Sequence, residues 1–315
     1  MSSLLPFEPL TEIASGLRFP EGPVALADGS LLLVEIARGV VTRIAPDGAK
    51  TVAASPGGGP NGLALGPDGT CYICNNGGFN WTPPGDPTGL RPIGQASDYS
   101  GGRIERLDLA TGAIEVVYRS SSHGPLKGPN DLVFDRFGGF YFTDLGKVRD
   151  RDQDRGAVHY ARADGSMIRE VIFPIITPNG IGLSPDGRTL YVAETETARL
   201  WAFDIESPGQ FRRHPFPSPH GGRLVAGLGG YNRFDSLAVD GAGNICVATL
   251  VSGCITVISP DGEIVRSVPM PERWPTNICF GGPDLKTAFI TLSMTGRLVS
   301  MPWDCPGLPL NGVAP

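Results

Sequence analysis

Six short triplets in this chain place comparable side chains at one repeated position. They are Pro20-Glu21-Gly22, Pro60-Asn61-Gly62, Pro129-Asn130-Asp131, Pro178-Asn179-Gly180, Phe234-Asp235-Ser236 and Pro275-Thr276-Asn277. The second position reads Glu, Asn, Asn, Asn, Asp, Thr, and five of these six carry a carboxylate or amide oxygen. Turn preference accounts for Asn and Asp in such a place, but not for Glu21. What Glu, Asn and Asp share is an oxygen that binds a hard cation. Glu21 and Asp235 bring two negative charges, and Asn130 and Asn179 two neutral carbonyl oxygens. With water completing the shell, that set suits Ca2+; Mg2+ and Mn2+ are alternatives. Zn2+ is a less suitable one, because it prefers His or Cys. None of the histidines (His123, His159, His214, His220) falls in a slot.

The slots are 40, 69, 49, 56 and 41 residues apart, the length of a four-stranded propeller blade with insertions in some loops. After each triplet comes a short apolar run, usually a tight turn, and a second apolar run. Leu63-Ala64-Leu65, Gly66-Pro67-Asp68-Gly69 and Cys71-Tyr72-Ile73-Cys74 form one such unit. Pro and Asp-Gly supply the turn between runs short enough to be strands. Second hairpins follow, as over residues 41–53 around Asp47-Gly48 and 255–268 around Asp261-Gly262. The last unit lacks its fourth strand, which residues 7–17 are expected to supply, closing the ring and removing a sheet edge. The pattern therefore predicts an all-β chain: a six-bladed β-propeller with a divalent metal in the central channel, one domain over residues 1–315. A seven-bladed ring or paired sandwiches are the competing arrangements. No segment keeps a helical period. In the propeller the first residues of the innermost strands crowd around one mouth, which brings the slots together.

Composition fits this reading. The 44 Gly and 30 Pro fall at turns, and the net charge of −6 comes without a basic patch interleaved with aromatics. Nucleic acid is therefore not expected as a partner. Neither a long apolar run nor a basic, then apolar, leader is present, so no membrane partner is expected either. Cys71 and Cys74 form a C-x-x-C. Residues three apart in a strand face opposite ways, and no second pair follows, so these two read as small buried hydrophobes. Scattered cysteines suggest a reducing, cytoplasmic setting.

The chain resembles the gluconolactonase, regucalcin (senescence marker protein) and luciferin-regenerating-enzyme family. The resemblance is carried by Pro20-Glu21-Gly22-Pro23, Gly128-Pro129-Asn130-Asp131-Leu132, Pro178-Asn179-Gly180-Ile181, Phe234-Asp235-Ser236-Leu237 and Thr276-Asn277-Ile278-Cys279-Phe280-Gly281-Gly282, in order over residues 20–291. It implies a six-bladed propeller with one divalent cation held by Glu21, Asn179 and Asp235. Asn130 is implied beside them, touching the metal, its water or the substrate. Asp235 is also implied as general base, and Ser236 and Asp144 as neighbours of the site. Asn61 fits the repeat without an implied role. The implied activity is hydrolysis of a cyclic ester, a sugar or related small lactone. The cation would polarise the carbonyl and Asp235 would take a proton from water, with a cation-activated water as the competing nucleophile. An esterase or phosphotriesterase using the same cation, and a calcium-binding propeller without turnover, are the alternatives.

By the same resemblance, sugar-lactone members carry Arg two residues before the residue at position 130. Here that residue is Gly128, with Lys127 adjacent as a substitute charge. Residues 75–102 form a long insertion containing Phe79, Trp81, Arg91 and Tyr99. It is either a solvated connection or a cover over the mouth, in which case Trp81 and Tyr99 join Lys127 and Asn130 as substrate-binding residues. Such a cover would favour a more apolar lactone. A second, charged insertion at residues 147–155 reads as a solvated loop.

Overall fold

The computed structural model describes residues 10–311. Six antiparallel sheets of at least four strands surround one axis, and each begins at a slot triplet on its innermost strand. Blade 1 runs Pro20–Ala25, Leu31–Glu35, Val40–Ile44, Lys50–Ala54. Blade 2 runs Pro60–Leu65, Cys71–Asn75, Arg103–Leu107, Ile114–Tyr118. Blade 3 runs Pro129–Phe134, Gly139–Asp144, Gly156–Arg162, Ile168–Ile175. Blade 5 runs Arg233–Val239, Ile245–Leu250, Cys254–Ile258, Ile264–Pro269. In blade 6, Pro275–Gly281, Thr287–Leu292 and Arg297–Pro302 are joined by Thr11–Ala14 from the other end of the chain. Thr11 pairs with Ser300 and Ala14 with Leu298, so the ring is closed by main-chain hydrogen bonds. Residues 7–9 of the expected closing strand lie outside the described residues.

Blade 4 departs from the simple count. After Pro178–Leu183, Thr189–Glu194 and Arg199–Ser207, its outer position is shared by Gln210–Arg212 and Arg223–Gly227, both paired to the third strand. Pro215, Pro217 and Pro219 lie between the two pieces. Proline cannot donate to the ladder, so the strand breaks there and resumes beyond.

The core follows from alternation along the strands. Cys71 and Ile73 pack toward blade 1 with Leu32, Val34 and Leu63. Tyr72 and Cys74 pack toward blade 3 with Phe134, Phe140 and Phe142. The two cysteines thus serve opposite faces, as period two requires. Apolar clusters of this kind fill each of the six interfaces between neighbouring blades.

Two details aim side chains into the channel. First, the register of every innermost strand slips just after its slot, for example between Glu21 and Val24, between Pro129 and Leu132, and between Phe234 and Leu237. Such slips break the alternation, so two successive residues can face the same space. Second, glycine at the third triplet position lets blades approach. A Cβ at Gly62 would lie 2.5 Å from the Asn130 carbonyl oxygen, and one at Gly180 2.6 Å from the Leu237 nitrogen.

Candidate active site

Glu21 is nearly fully buried at the head of the channel. The Gly22 N–H and Asn277 Nδ2 both donate to its Oε2, at 2.8 Å. Asn277 accepts the Ile278 N–H on its own oxygen at 2.8 Å, which turns its NH2 end toward Glu21. Asn179 donates from Nδ2 to Thr195 Oγ1 at 3.1 Å, while its Oδ1 receives the Ser236 hydroxyl at 3.3 Å. The amide end of Asn179 is thus spent on blade 4, and its oxygen is presented on the side of blade 5. Asn61 and Asn130 are buried at their slots. Asp235 is half-buried at its slot.

The structure adds a third carboxylate. Asp131, next to the slot of blade 3, is buried, and its Oδ1 accepts the Leu132 N–H at 2.9 Å. Burial, then the charge of Glu21, pushes the Asp131 carboxyl up to about 8. Burial raises Glu21 as well. Asp235 is raised well above the usual carboxylate range by burial, then by Glu21, with Asp131 contributing. Buried carboxylates that raise one another's proton affinity are crowded like charges, the situation a bound cation relieves. Among the described residues, no three of His, Cys, Asp and Glu are arranged to hold an ion by themselves. The amide oxygens of Asn179 and Asn130 therefore have to complete any such shell. An all-oxygen set with two or three carboxylates fits Ca2+ and does not fit a Cys or His site.

A further device sits at the far end of the second strand. Glu35 accepts the Arg18 N–H at 2.8 Å, and Asn75 the Gly59 N–H at 2.9 Å. Asp144 takes those of Lys127 and Gly128, both at 2.7 Å, and Glu194 takes that of Ile176 at 3.0 Å. In four blades, then, a buried acid or amide ties down the segment that enters the slot. Asp144 also takes the Gly146 N–H at 3.0 Å, so its carboxylate is committed to main chain. It orders the approach to Asn130.

The insertion at residues 75–102 folds as a hairpin, Phe79–Trp81 paired with Pro92–Gln95. It reaches three blades. The Gln95 N–H donates to the Val148 carbonyl of blade 3 at 2.9 Å. Trp81 packs on Phe19 of blade 1 with ring centroids 5.1 Å apart. Gly89 lies against Met294 of blade 6, where an added Cβ would be 3.1 Å from the methyl carbon. Phe79, Trp81 and Leu90 join Trp274 in the cluster centred on Phe19. The insertion is a packed hairpin along the blade 1, 2, 3 and 6 side of the mouth. Tyr99 donates its hydroxyl to the Lys127 carbonyl at 2.6 Å, tying the insertion's root to blade 3. The Lys127 side chain is exposed; its main chain makes these ties.

Residues 147–155 behave differently from a solvated loop at one point. Lys147 is buried, with Nζ donating to Asn76 Oδ1 at 3.1 Å and the Gly78 carbonyl at 2.8 Å. The same ammonium lies 4.1 Å from the Phe79 ring centre. Below the polar head, Val24, Leu63, Leu132, Ile181, Leu237 and Ile278 line an apolar cavity of about 300 Å³, which reaches Leu308 and Leu310 near the hairpin turns. Apolar walls cannot polarise an ester, so the chemistry belongs to the head.

Sequence reasoning named Glu21, Asn179, Asp235 and Asn130, and the fold brings their slots to one end of the channel. It missed Asp131 and the role of Asn277. The signal was present at the third triplet position, which reads Gly, Gly, Asp, Gly, Ser, Asn.

Comparison with known proteins agrees with this fold. The SMP-30/Gluconolactonase/LRE-like region matches residues 19–294. A gluconolactonase of Zymomonas mobilis is 25% identical over 90% of this chain and 79% of its own length. The lactonase drp35 of Staphylococcus haemolyticus is 29% identical over 84% of this chain and 74% of its own. The solved structure of regucalcin from Agrobacterium tumefaciens, described as a calcium-binding protein, superposes with a TM-score of 0.75 at 20% identity, covering 98% of this chain and 99% of that one. With the match spanning every slot, the chain belongs to the SMP-30/gluconolactonase/LRE-like family.

Proposed function

We propose that this protein is a metal-dependent lactonase, opening a small cyclic ester to its hydroxy acid. One observation carries the reading: Glu21, Asp131 and Asp235 crowd at the head of the channel, beside Asn179, in a family whose relatives include lactonases. Glu21, Asn179 and Asp235 would hold a divalent cation, most suitably Ca2+, with Asn130 beside it. The cation would supply Lewis-acid polarisation of the carbonyl and stabilise the negative charge that develops on its oxygen.

The chain's own residues do the rest. Asn277 and the Gly22 N–H fix the Glu21 carboxylate, and Thr195 fixes Asn179, so both are set before substrate arrives. Asp235, half-buried at its slot, accepts a proton from water as the water oxygen bonds to the carbonyl carbon. The ring C–O bond then breaks and the same proton passes to the departing oxygen, giving an alcohol and a carboxylic acid that ionises by releasing its proton to solvent. Ser236, hydrogen-bonded to Asn179, keeps that residue's oxygen on the blade 5 side. The packed hairpin limits water on the opposite flank.

Replacing Asp235 with Asn tests the assignment. Turnover of lactones should fall by about 10²-fold or more, the usual contribution of a positioned base, with the unfolding transition retained. A folded variant with wild-type turnover would remove Asp235 from the chemistry.

A further inference from the structure

We infer that the Arg233–Glu196 ion pair is the polar recognition element of the mouth, selecting an uncharged, hydroxyl-bearing lactone over an anionic one. The inference rests on the lactonase reading above.

The residue two before each slot sits where the chain enters the innermost strand. Around the ring that position reads Phe19, Gly59, Gly128, Thr177, Arg233, Trp274. Blades 2 and 3 have no room for a side chain there. A Cβ at Gly59 would lie 2.3 Å from Asn76 Oδ1, and one at Gly128 would lie 2.4 Å from the Gly146 carbonyl oxygen. A charged side chain at position 128 itself, where the resemblance implies Arg, is therefore sterically closed off on that blade. Phe19 and Trp274 belong to the apolar cluster of the hairpin. Thr177 is occupied, its carbonyl and hydroxyl oxygens accepting the Thr195 and Glu196 N–H groups, both at 3.0 Å. Arg233 is the cation of the ring.

Its partner is fixed by the site itself. Glu196 follows Thr195, whose hydroxyl holds Asn179, and Arg233 lies two residues before Asp235. Arg233 Nη2 donates to Glu196 Oε1, bridging blades 4 and 5 beside Asn179 and Asp235. Both side chains remain partly open, 25% and 38% exposed. Arg233 Nε is buried without a hydrogen-bond partner. An unpaired guanidinium N–H is costly, and an acceptor brought by a ligand, with a small shift of the pair, removes that cost.

The pair offers a donor and an acceptor side by side. A hydroxyl can accept from Arg233 and donate to Glu196, whereas a carboxylate only accepts. An anionic substituent also meets the charge of Glu196, with Asp235 close by. The opposite flank, with Phe19, Trp81 and Trp274, suits the C–H face of a ring.

Three five-membered lactones separate these features in the cation-loaded protein. D-Glucono-1,4-lactone is hydroxylated and neutral, D-glucaro-1,4-lactone is hydroxylated and anionic, and γ-valerolactone has no hydroxyl. Arg233→Leu should lower the kcat/KM ratio of gluconolactone to γ-valerolactone by about tenfold, chiefly through KM, the scale of one lost charged hydrogen bond. Glu196→Gln should raise kcat/KM for glucarolactone relative to gluconolactone by about fivefold, a gain that a damaged fold would not produce. If wild type hydrolyses these lactones and both ratios stay unmoved in folded variants, the inference is overturned alone. If wild type hydrolyses none of the three, the lactonase reading falls and takes the inference with it.

Discussion

Asp131, Glu21 and Asp235 sit in a space that disfavours three negative charges, and this has a consequence of two opposite signs. Asp131→Asn keeps the oxygen that accepts the Leu132 N–H and removes one charge. In chelator the variant should be more stable than wild type by about 1 kcal/mol, because the cost of burying a carboxylate, and then its repulsion from Glu21, is relieved. Its affinity for Ca2+ should instead fall. Thermal unfolding in chelator and calorimetric titration read the two effects. A loss of stability in chelator, or undiminished affinity, would contradict the crowding. Asp131 was hidden from sequence reasoning for a physical reason: in a regular strand the neighbour of Asn130 faces away, and only the register slip between Pro129 and Leu132 turns both inward. A second residue-scale effect lies outside the site. His159 is buried and stacked on Phe142, 4.9 Å between centres, with burial pulling it down to about 4. Unfolded, it titrates near 6.5, so between those values the unfolded chain binds the extra proton. Stability is full above pH 6.5 and is lost as pH falls toward 4, by about 3 kcal/mol from this residue. His159→Phe should flatten that part of the pH–stability curve, measured by denaturant titration at pH 7 and pH 4.5; an unchanged slope would contradict it.

The elements differ in how plainly the sequence shows them. Inner hairpins such as Leu63-Ala64-Leu65 to Cys71-Tyr72-Ile73-Cys74 carry alternation and turn residues together, so local and global signals agree. The insertion at residues 75–102 carries neither a period nor a repeat, and its hairpin depends on contacts with three other blades. Among the acids at the strand ends, Asp144 was marked only by the resemblance, and Glu35 and Glu194 carry no signal until their main-chain partners are seen. Lys147 was read as part of a solvated loop, because its partners Asn76 and Gly78 are about 70 residues away in sequence. Lys147→Ala should release the hairpin. Hydrogen exchange over residues 79–95 should accelerate by about tenfold or more while the blade strands keep their protection. Equal protection of the hairpin in both proteins would show that Lys147 does not hold it.

At the scale of the whole molecule, the count of six slots led to the six-bladed propeller, because each blade starts with the same local problem of entering a crowded channel. Closure by Thr11–Ala14 followed from a strand missing at the other end of the chain. The split outer strand of blade 4 was not legible, since Arg223–Gly227 resumes pairing only after a proline-rich excursion. Among the described residues no helix is long and apolar enough to cross a membrane. What the ring achieves is convergence: residues from position 21 to position 277 meet at one head above an apolar cavity. The most direct test of the account is proton release from a panel of γ- and δ-lactones, sugar to alkyl and aryl, before and after chelation and after returning single divalent cations. Hydrolysis that disappears with chelator and returns with one cation, Ca2+ foremost, is the predicted result. Hydrolysis indifferent to chelation, or no lactone hydrolysis by the cation-loaded protein, would contradict it.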